Sequence, residues 1–87
     1  MDIFLHDSAE KFLDRLDKRT QNTLKTDIKK LSLNPHSKQL DIKKLKGLGN
    51  KPDLFRPRIG NYRVIYFILD DKIWVTEIMR REKGYDF

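Results

Sequence analysis

Between residues 53 and 80 the chain reads as three strands joined by two tight turns. The stretches "DLFRPRI", "NYRVIYFIL" and "KIWVTEIM" are dense in Ile, Val, Phe, Tyr and Trp, the residue types that suit a pleated, half-buried surface. Gly60-Asn61 and Asp70-Asp71 stand between them as hairpin turns. A chain with such a stretch builds an antiparallel sheet, and what precedes it has to cover one face. Pro57 has no N–H to donate, which predicts an edge position or a bulge there.

The preceding half supplies the cover. "DIFL" is a short apolar run suited to a first strand. "DSAEKFLDRLDK" then has helical spacing, with Ala9, Phe12, Leu13 and Leu16 on one face. Asp7 can cap this helix, and Glu10, three residues on, can close a capping box. A second helix, "TQNTLKTDIKKLSL", carries Leu24, Ile28 and Leu31 as its stripe and ends at Asn34-Pro35. The link between the helices falls around Lys18 to Thr20. Leu40, Ile42, Leu45 and Leu48 make residues 35–53 an ordered connection lying on the sheet and helices. Helices first and strands after give an α+β fold. We expect an N-terminal helical hairpin packed on a twisted, mainly antiparallel sheet, with residues 1–87 forming a single domain.

The chain has 19 Lys and Arg against 13 Asp and Glu, a net charge of +6. From Lys43 to Arg63 there are seven basic residues and one acid, Asp53. That asymmetry points to a polyanion. With no cysteine, disulfides and thiolate metal sites are excluded and a reducing compartment is implied. No apolar run reaches the roughly 20 residues of a membrane span. The first residues lack the basic-then-apolar order of a signal peptide. A cytoplasmic protein without a membrane partner is expected.

The stretch "FRPRIGNYRVIY" carries the sharpest expectation. A two-residue Gly60-Asn61 turn, Gly first, suits type II′. Ile59 then pairs with Tyr62, and Arg58 with Arg63 directly across. Arg56 shares their face by strand alternation. Like charges directly opposite are destabilising. Carried through a two-residue Asp70-Asp71 turn, the register sets Ile78 opposite Arg63, Arg80 on the arginine face and Arg81 on the other. It also drops Glu77 among apolar residues, and a bulge would reverse these placements. A solvated face whose arginines lie over apolar neighbours and pair with carboxylates is the plain alternative. No acid is evident on that face, so the arginines look like a phosphate receptor. Tyr62 and Tyr66 fall on the buried face. Trp74 shares the arginine face with Phe67, where covering the apolar sheet is its expected role.

The residues "YRVIY", preceded by an arginine-bearing strand ending in Gly, together with "KLKGLG" and "IMRREKGY", resemble the RelE/ParE toxin superfamily. The resemblance covers nearly the whole chain. It implies a toxin of a type II toxin–antitoxin pair. RelE-like members enter the ribosomal A site and cut mRNA there, whereas ParE-like members inhibit DNA gyrase. Carried over, Arg56 and Arg58 match two basic residues on the strand before the turn. Arg63 matches the arginine of the "YR" pair, Arg80 or Arg81 the C-terminal arginine, and Tyr85 the terminal tyrosine. Lys46 and Lys51 join Arg56 as RNA-binding candidates. Met79 stands where many relatives have histidine, and Gly84 is an extra residue before Tyr85. The resemblance also implies a RelB-like antitoxin, a toxin–antitoxin heterotetramer, and promoter DNA bound only through the antitoxin.

A metal-free cut of RNA needs the 2′-OH deprotonated, the phosphorane stabilised and the leaving 5′-oxygen protonated. Arg58 and Arg63 could clamp the non-bridging oxygens. Arginine is a poor base. Tyr85 could act as one beside arginines, and Lys51, Lys83 and Glu82 are poorer choices. His6 and His36 read as surface residues. No constellation of metal ligands or cofactor motif is present in the sequence.

Overall fold

The computed structural model describes residues 1–33, 43–45, 47 and 49–80. Strand β1 (Asp2–Leu5) leads into helix α1 (Asp7–Asp14) and helix α2 (Lys18–Lys29), which ends in a 3-10 turn (Lys30–Ser32). Strands β2 (Lys43–Leu45), β3 (Leu54–Arg56), β4 (Arg58–Ile59), β5 (Tyr62–Leu69) and β6 (Lys72–Arg80) follow. The expected α+β architecture is present, with both helices on one face of the sheet.

The helix boundaries differ from those expected from the sequence. His6, not Asp7, caps α1. It has extended backbone, and its Nδ1 accepts from the Ser8 N–H at 3.3 Å. Asp7 and Glu10 lie in the first turn instead, where negative charge favours the helix dipole. Asp17 caps α2, accepting from the Thr20 N–H at 3.1 Å. Hydrogen bonding from Thr20, through side chain and backbone, holds the Asp17 carboxyl below its ordinary value of 3.8. Residues 18–20 are therefore helix, and the link lies at 15–17. The expected stop at Asn34-Pro35 lies outside the described residues.

The sheet order is β1-β6-β5-β3-β2, with β4 also pairing β5. It is mixed: β1 runs parallel to β6 and every other pair is antiparallel. Strand β2, in the segment expected only to be an ordered connection, pairs β3 with Lys43 opposite Arg56. Pro57 is fully buried and separates β3 from β4, and its carbonyl accepts from the Val64 N–H at 3.2 Å. Pro57 thus interrupts the ladder beside β4, which pairs only β5 among the described residues, in keeping with the expected edge position.

The core lies between helices and sheet. Leu13, Leu24, Ile28 and Leu31 meet Ile59, Val64, Tyr66, Ile73, Val75 and Ile78, all nearly inaccessible. Tyr66 is wholly enclosed, stacks on Phe55 with ring centroids 5.3 Å apart, and burial pushes its phenol up to about 12. Phe12 meets Tyr62 edge to face at 5.8 Å.

Both hairpin turns form where glycine and aspartate stand. Gly60 has φ +58°, and Asn61 is not left-handed, as a Gly-first turn requires. Asp70 and Asp71 both have positive φ, 53° and 64°, the pattern of a type I′ turn, which short polar side chains tolerate.

Strand β6 contains a bulge. Leu69 pairs with Lys72 and the register runs evenly to Tyr66 opposite Val75, but Ile65 then pairs with Glu77. Thr76 is the extra residue. Ser8 Oγ donates to the Thr76 carbonyl at 2.6 Å, Thr76 Oγ1 donates to the Ile65 carbonyl at 3.3 Å, and the His6 N–H donates to the Val75 carbonyl at 2.8 Å. The start of α1 therefore clamps the bulge, and the bulge decides which β6 side chains face away from the helices beyond it.

Candidate functional site

The sheet face that the helices leave free is set by strand alternation. Along β5 it presents Arg63, Ile65 and Phe67, while Val64 and Tyr66 enter the core. The side chains fall into rows across the strands. In the first row Arg58 of β4, Arg63 of β5 and Met79 of β6 lie side by side. The second holds Ile65 and Glu77, with Arg56 on the β3 side next to the Phe55–Tyr66 pair. The third runs Phe4, Trp74, Phe67.

The expected register of the first hairpin is the observed one: Arg58 is opposite Arg63, and Ile59 is opposite Tyr62. Arg63 keeps only 6% of its surface exposed. Arg58 and Arg56 are half-buried. The Nε atoms of Arg58 and Arg63 are buried, and no acceptor meets them among the described residues. Directly opposed residues have Cβ atoms about 5 Å apart. Two arginines paired this way, one of them almost enclosed, form a concentrated positive site. A buried donor without an acceptor is unfavourable, and an anion with several acceptor oxygens would satisfy such donors and offset the repulsion.

The second hairpin corrects the expected placement. Because of the Thr76 bulge, Arg63 faces Met79 rather than Ile78, and Arg80 lies opposite Tyr62. Arg80 is therefore exposed on the helix side of the sheet, not beside Arg63. Arg81, Tyr85 and Lys46 lie outside the described residues, as do His36, Glu82 and Lys83. Lys51 is exposed and lines a hollow of about 590 Å³ with Pro52, Leu54, Phe67, Leu69 and Thr76. This hollow lies toward the Phe67 end of the face, four residues along β5 from Arg63.

The bulge also brings in a residue the bulge-free register had placed elsewhere. Glu77 moves from the apolar face to the arginine face, opposite Ile65 and diagonal to Arg63. It is exposed. The signal was available in the sequence: an even register buries Glu77, and a buried carboxylate in an apolar row argues for an extra residue in the strand.

Beyond the charged rows the face is aromatic. Phe4 and Trp74 stack with centroids 4.8 Å apart, and Phe67 and Trp74 stack at 6.3 Å. The Trp74 indole N–H donates to the Leu69 carbonyl at 3.2 Å. Trp74 covers the sheet, as expected. His6 is exposed and committed to Ser8. Among the described residues no group of three His, Cys, Asp or Glu could hold a metal ion, and no helix is long and apolar enough to cross a membrane.

Comparison with known proteins meets this geometry from another side. The sequence model of the family described as "ParE toxin of type II toxin-antitoxin system, parDE" matches residues 3–85. The toxin candidate RelE1 of Methanocaldococcus jannaschii is 37% identical over 86 residues, covering 95% of this chain and 92% of that one. The fold superposes on RelE in the archaeal RelE–RelB complex of Pyrococcus horikoshii with a TM-score of 0.78, at 29% identity, over 95% of this chain and 97% of that one. For the RelB–RelE complex of Methanococcus jannaschii the TM-score is 0.67, at 26% identity, over 97% and 96%. A family match across almost the whole length, together with the 37% identity to RelE1, places the chain in the RelE/ParE toxin superfamily.

Proposed function

We propose that the chain is the toxin of a cytoplasmic toxin–antitoxin pair and acts as a ribosome-dependent endoribonuclease, cutting mRNA in the A site and stopping translation. The observation that carries this reading is the Arg58–Arg63 pair, with Arg63 nearly enclosed and the Nε atoms of both without an acceptor among the described residues.

In the proposed reaction the RNA 2′-OH attacks the adjacent phosphate. Charge builds on the non-bridging oxygens in the phosphorane. Arg58 and Arg63 hold those oxygens, and preorganised donors of this kind are worth about 2.7–4 kcal/mol each when removed. Arg56 extends the positive row along the RNA strand, and Lys51 gives a further contact toward the Phe67 end. Arg80 reaches RNA or ribosome only from the other side of the sheet. Arg81 and Tyr85 remain candidates for the C-terminal contribution, and Lys46 for RNA binding. Neither metal nor cofactor has a part in this scheme. Much of the rate comes from holding the RNA in line, so the ribosome, which fixes the codon, completes the site.

A RelB-like antitoxin neutralises the chain in this reading. The solved relatives from P. horikoshii and M. jannaschii are complexes of RelE with RelB. Carboxylates on such a partner would neutralise the arginine rows, and its apolar residues would suit the Phe67 end. A heterotetramer, with promoter DNA bound through the antitoxin, follows from the same analogy.

A second reading has one specific support: the matching family model is that of ParE toxins. In it the chain inhibits DNA gyrase and cuts nothing. Two assays on one preparation separate the readings. Primer extension on translated mRNA is expected to show cuts within A-site codons, with supercoiling by gyrase unaffected. Intact mRNA together with blocked supercoiling would establish the second reading instead.

A further inference from the structure

We propose that Glu77 is the general base of the cleavage reaction, a role that rests on the nuclease reading above. The sheet register puts Glu77 on the same face as the arginine pair, one diagonal step from Arg63. Ile65 is directly opposite Glu77 and Arg63 directly opposite Met79, so Glu77 and Arg63 are diagonal neighbours on the free face. Diagonal Cβ atoms lie about 7–8 Å apart, within reach of long side chains. A phosphate held by Arg58 and Arg63 would bring the ribose of the attacking nucleotide to that diagonal.

The chemistry of the face singles this residue out. An ionised carboxylate only accepts hydrogen bonds, whereas arginine has no acceptor. Asp53, the nearest acid in sequence to Arg56, accepts from the Gly47 N–H at 2.8 Å. Glu77 is exposed, and no hydrogen bond or ion pair of the described residues occupies it. The charged groups around it are Arg56, Arg58 and Arg63 across the free face, and His6 and Asp7 at the start of α1 beyond the bulge. His6 Nδ1 is engaged by Ser8. Arg80 lies on the opposite side of the sheet.

The step balances without a co-reactant beyond water. Glu77 takes the proton of the 2′-OH as the 2′-oxygen bonds to phosphorus. The bond from phosphorus to the 5′-oxygen breaks, and that oxygen takes a proton from water. The products are a 2′,3′-cyclic phosphate and a 5′-hydroxyl. Glu77 then returns its proton to solvent.

The test is single-turnover cleavage of A-site mRNA on programmed ribosomes as a function of pH, using the whole chain freed of its antitoxin. Glu77→Gln keeps the shape of an exposed side chain, and an unchanged melting temperature verifies its fold. It is expected to slow cleavage roughly 10²- to 10⁴-fold, to abolish the rise of rate with pH on the acid side, and to leave ribosome binding intact. Glu77→Asp, with a shortened carboxylate, is expected to restore part of the rate and the acid limb. Equal rates and superimposable pH profiles for wild type and Glu77→Gln would overturn the role of Glu77 and leave the nuclease reading standing. A wild-type chain that leaves the mRNA uncut would overturn both.

Discussion

Arg63 lies directly opposite Arg58 across the β4–β5 pair while only 6% of its surface reaches solvent. On its face of the central strand β5, where Met79 stands opposite and Ile65 lies two residues along, an apolar residue at that position would be more stable. Arg63→Met is therefore expected to raise the free energy of unfolding by about 1 kcal/mol, the upper end of what one cross-strand side-chain pair contributes. Urea unfolding of the isolated chain measures this. Added sulfate should stabilise wild type more than the variant, because an anion between the two guanidiniums binds only the folded state.

The bulge at Thr76 makes a second prediction. Ser8 Oγ holds the Thr76 carbonyl at 2.6 Å and ties α1 to the strand that carries Glu77 and Met79. Ser8→Ala removes that hydrogen bond and is expected to cost about 1 kcal/mol of stability. Amide exchange at residues 76–78 should accelerate more than exchange elsewhere in β6, since the loss is local.

Tyr66 sets an alkaline limit. Its folded value is raised to about 12 by burial, against an ordinary 10.0. The folded state thus holds the proton more tightly than the unfolded chain. That stability is fully present below pH 10.0 and is lost as pH rises toward about 12. Phenolate absorbance from Tyr66 should appear together with loss of the folded circular-dichroism signal. Tyr66→Phe should move that unfolding to higher pH.

The strands, the two turns and the Arg58–Arg63 pairing were legible because period-two alternation and a Gly-first turn fix register over a few residues. The parallel pairing of β1 with β6 was not, since nothing local in "DIFL" specifies its distant partner. The N-cap of α1 fell to His6 rather than Asp7, because histidine used its ring nitrogen in a role usually filled by oxygen. The free face beyond Ile65 was misplaced by one residue. An unpaired Thr76 shifts every later side chain of β6, so Arg80 left the arginine face and Glu77 joined it. The hydrogen bonds that fix the bulge come from Ser8, 68 residues away in sequence, which no local pattern announces.

In the nuclease reading Arg63 is a phosphate ligand rather than a packing residue. The rate of A-site mRNA cleavage by Arg63→Met, measured on programmed ribosomes with a preparation whose melting temperature is at least that of wild type, tests it most directly. A loss of roughly 10²- to 10³-fold, the cost of one missing transition-state donor, is predicted. A folded Arg63→Met chain that cuts as fast as wild type would contradict it.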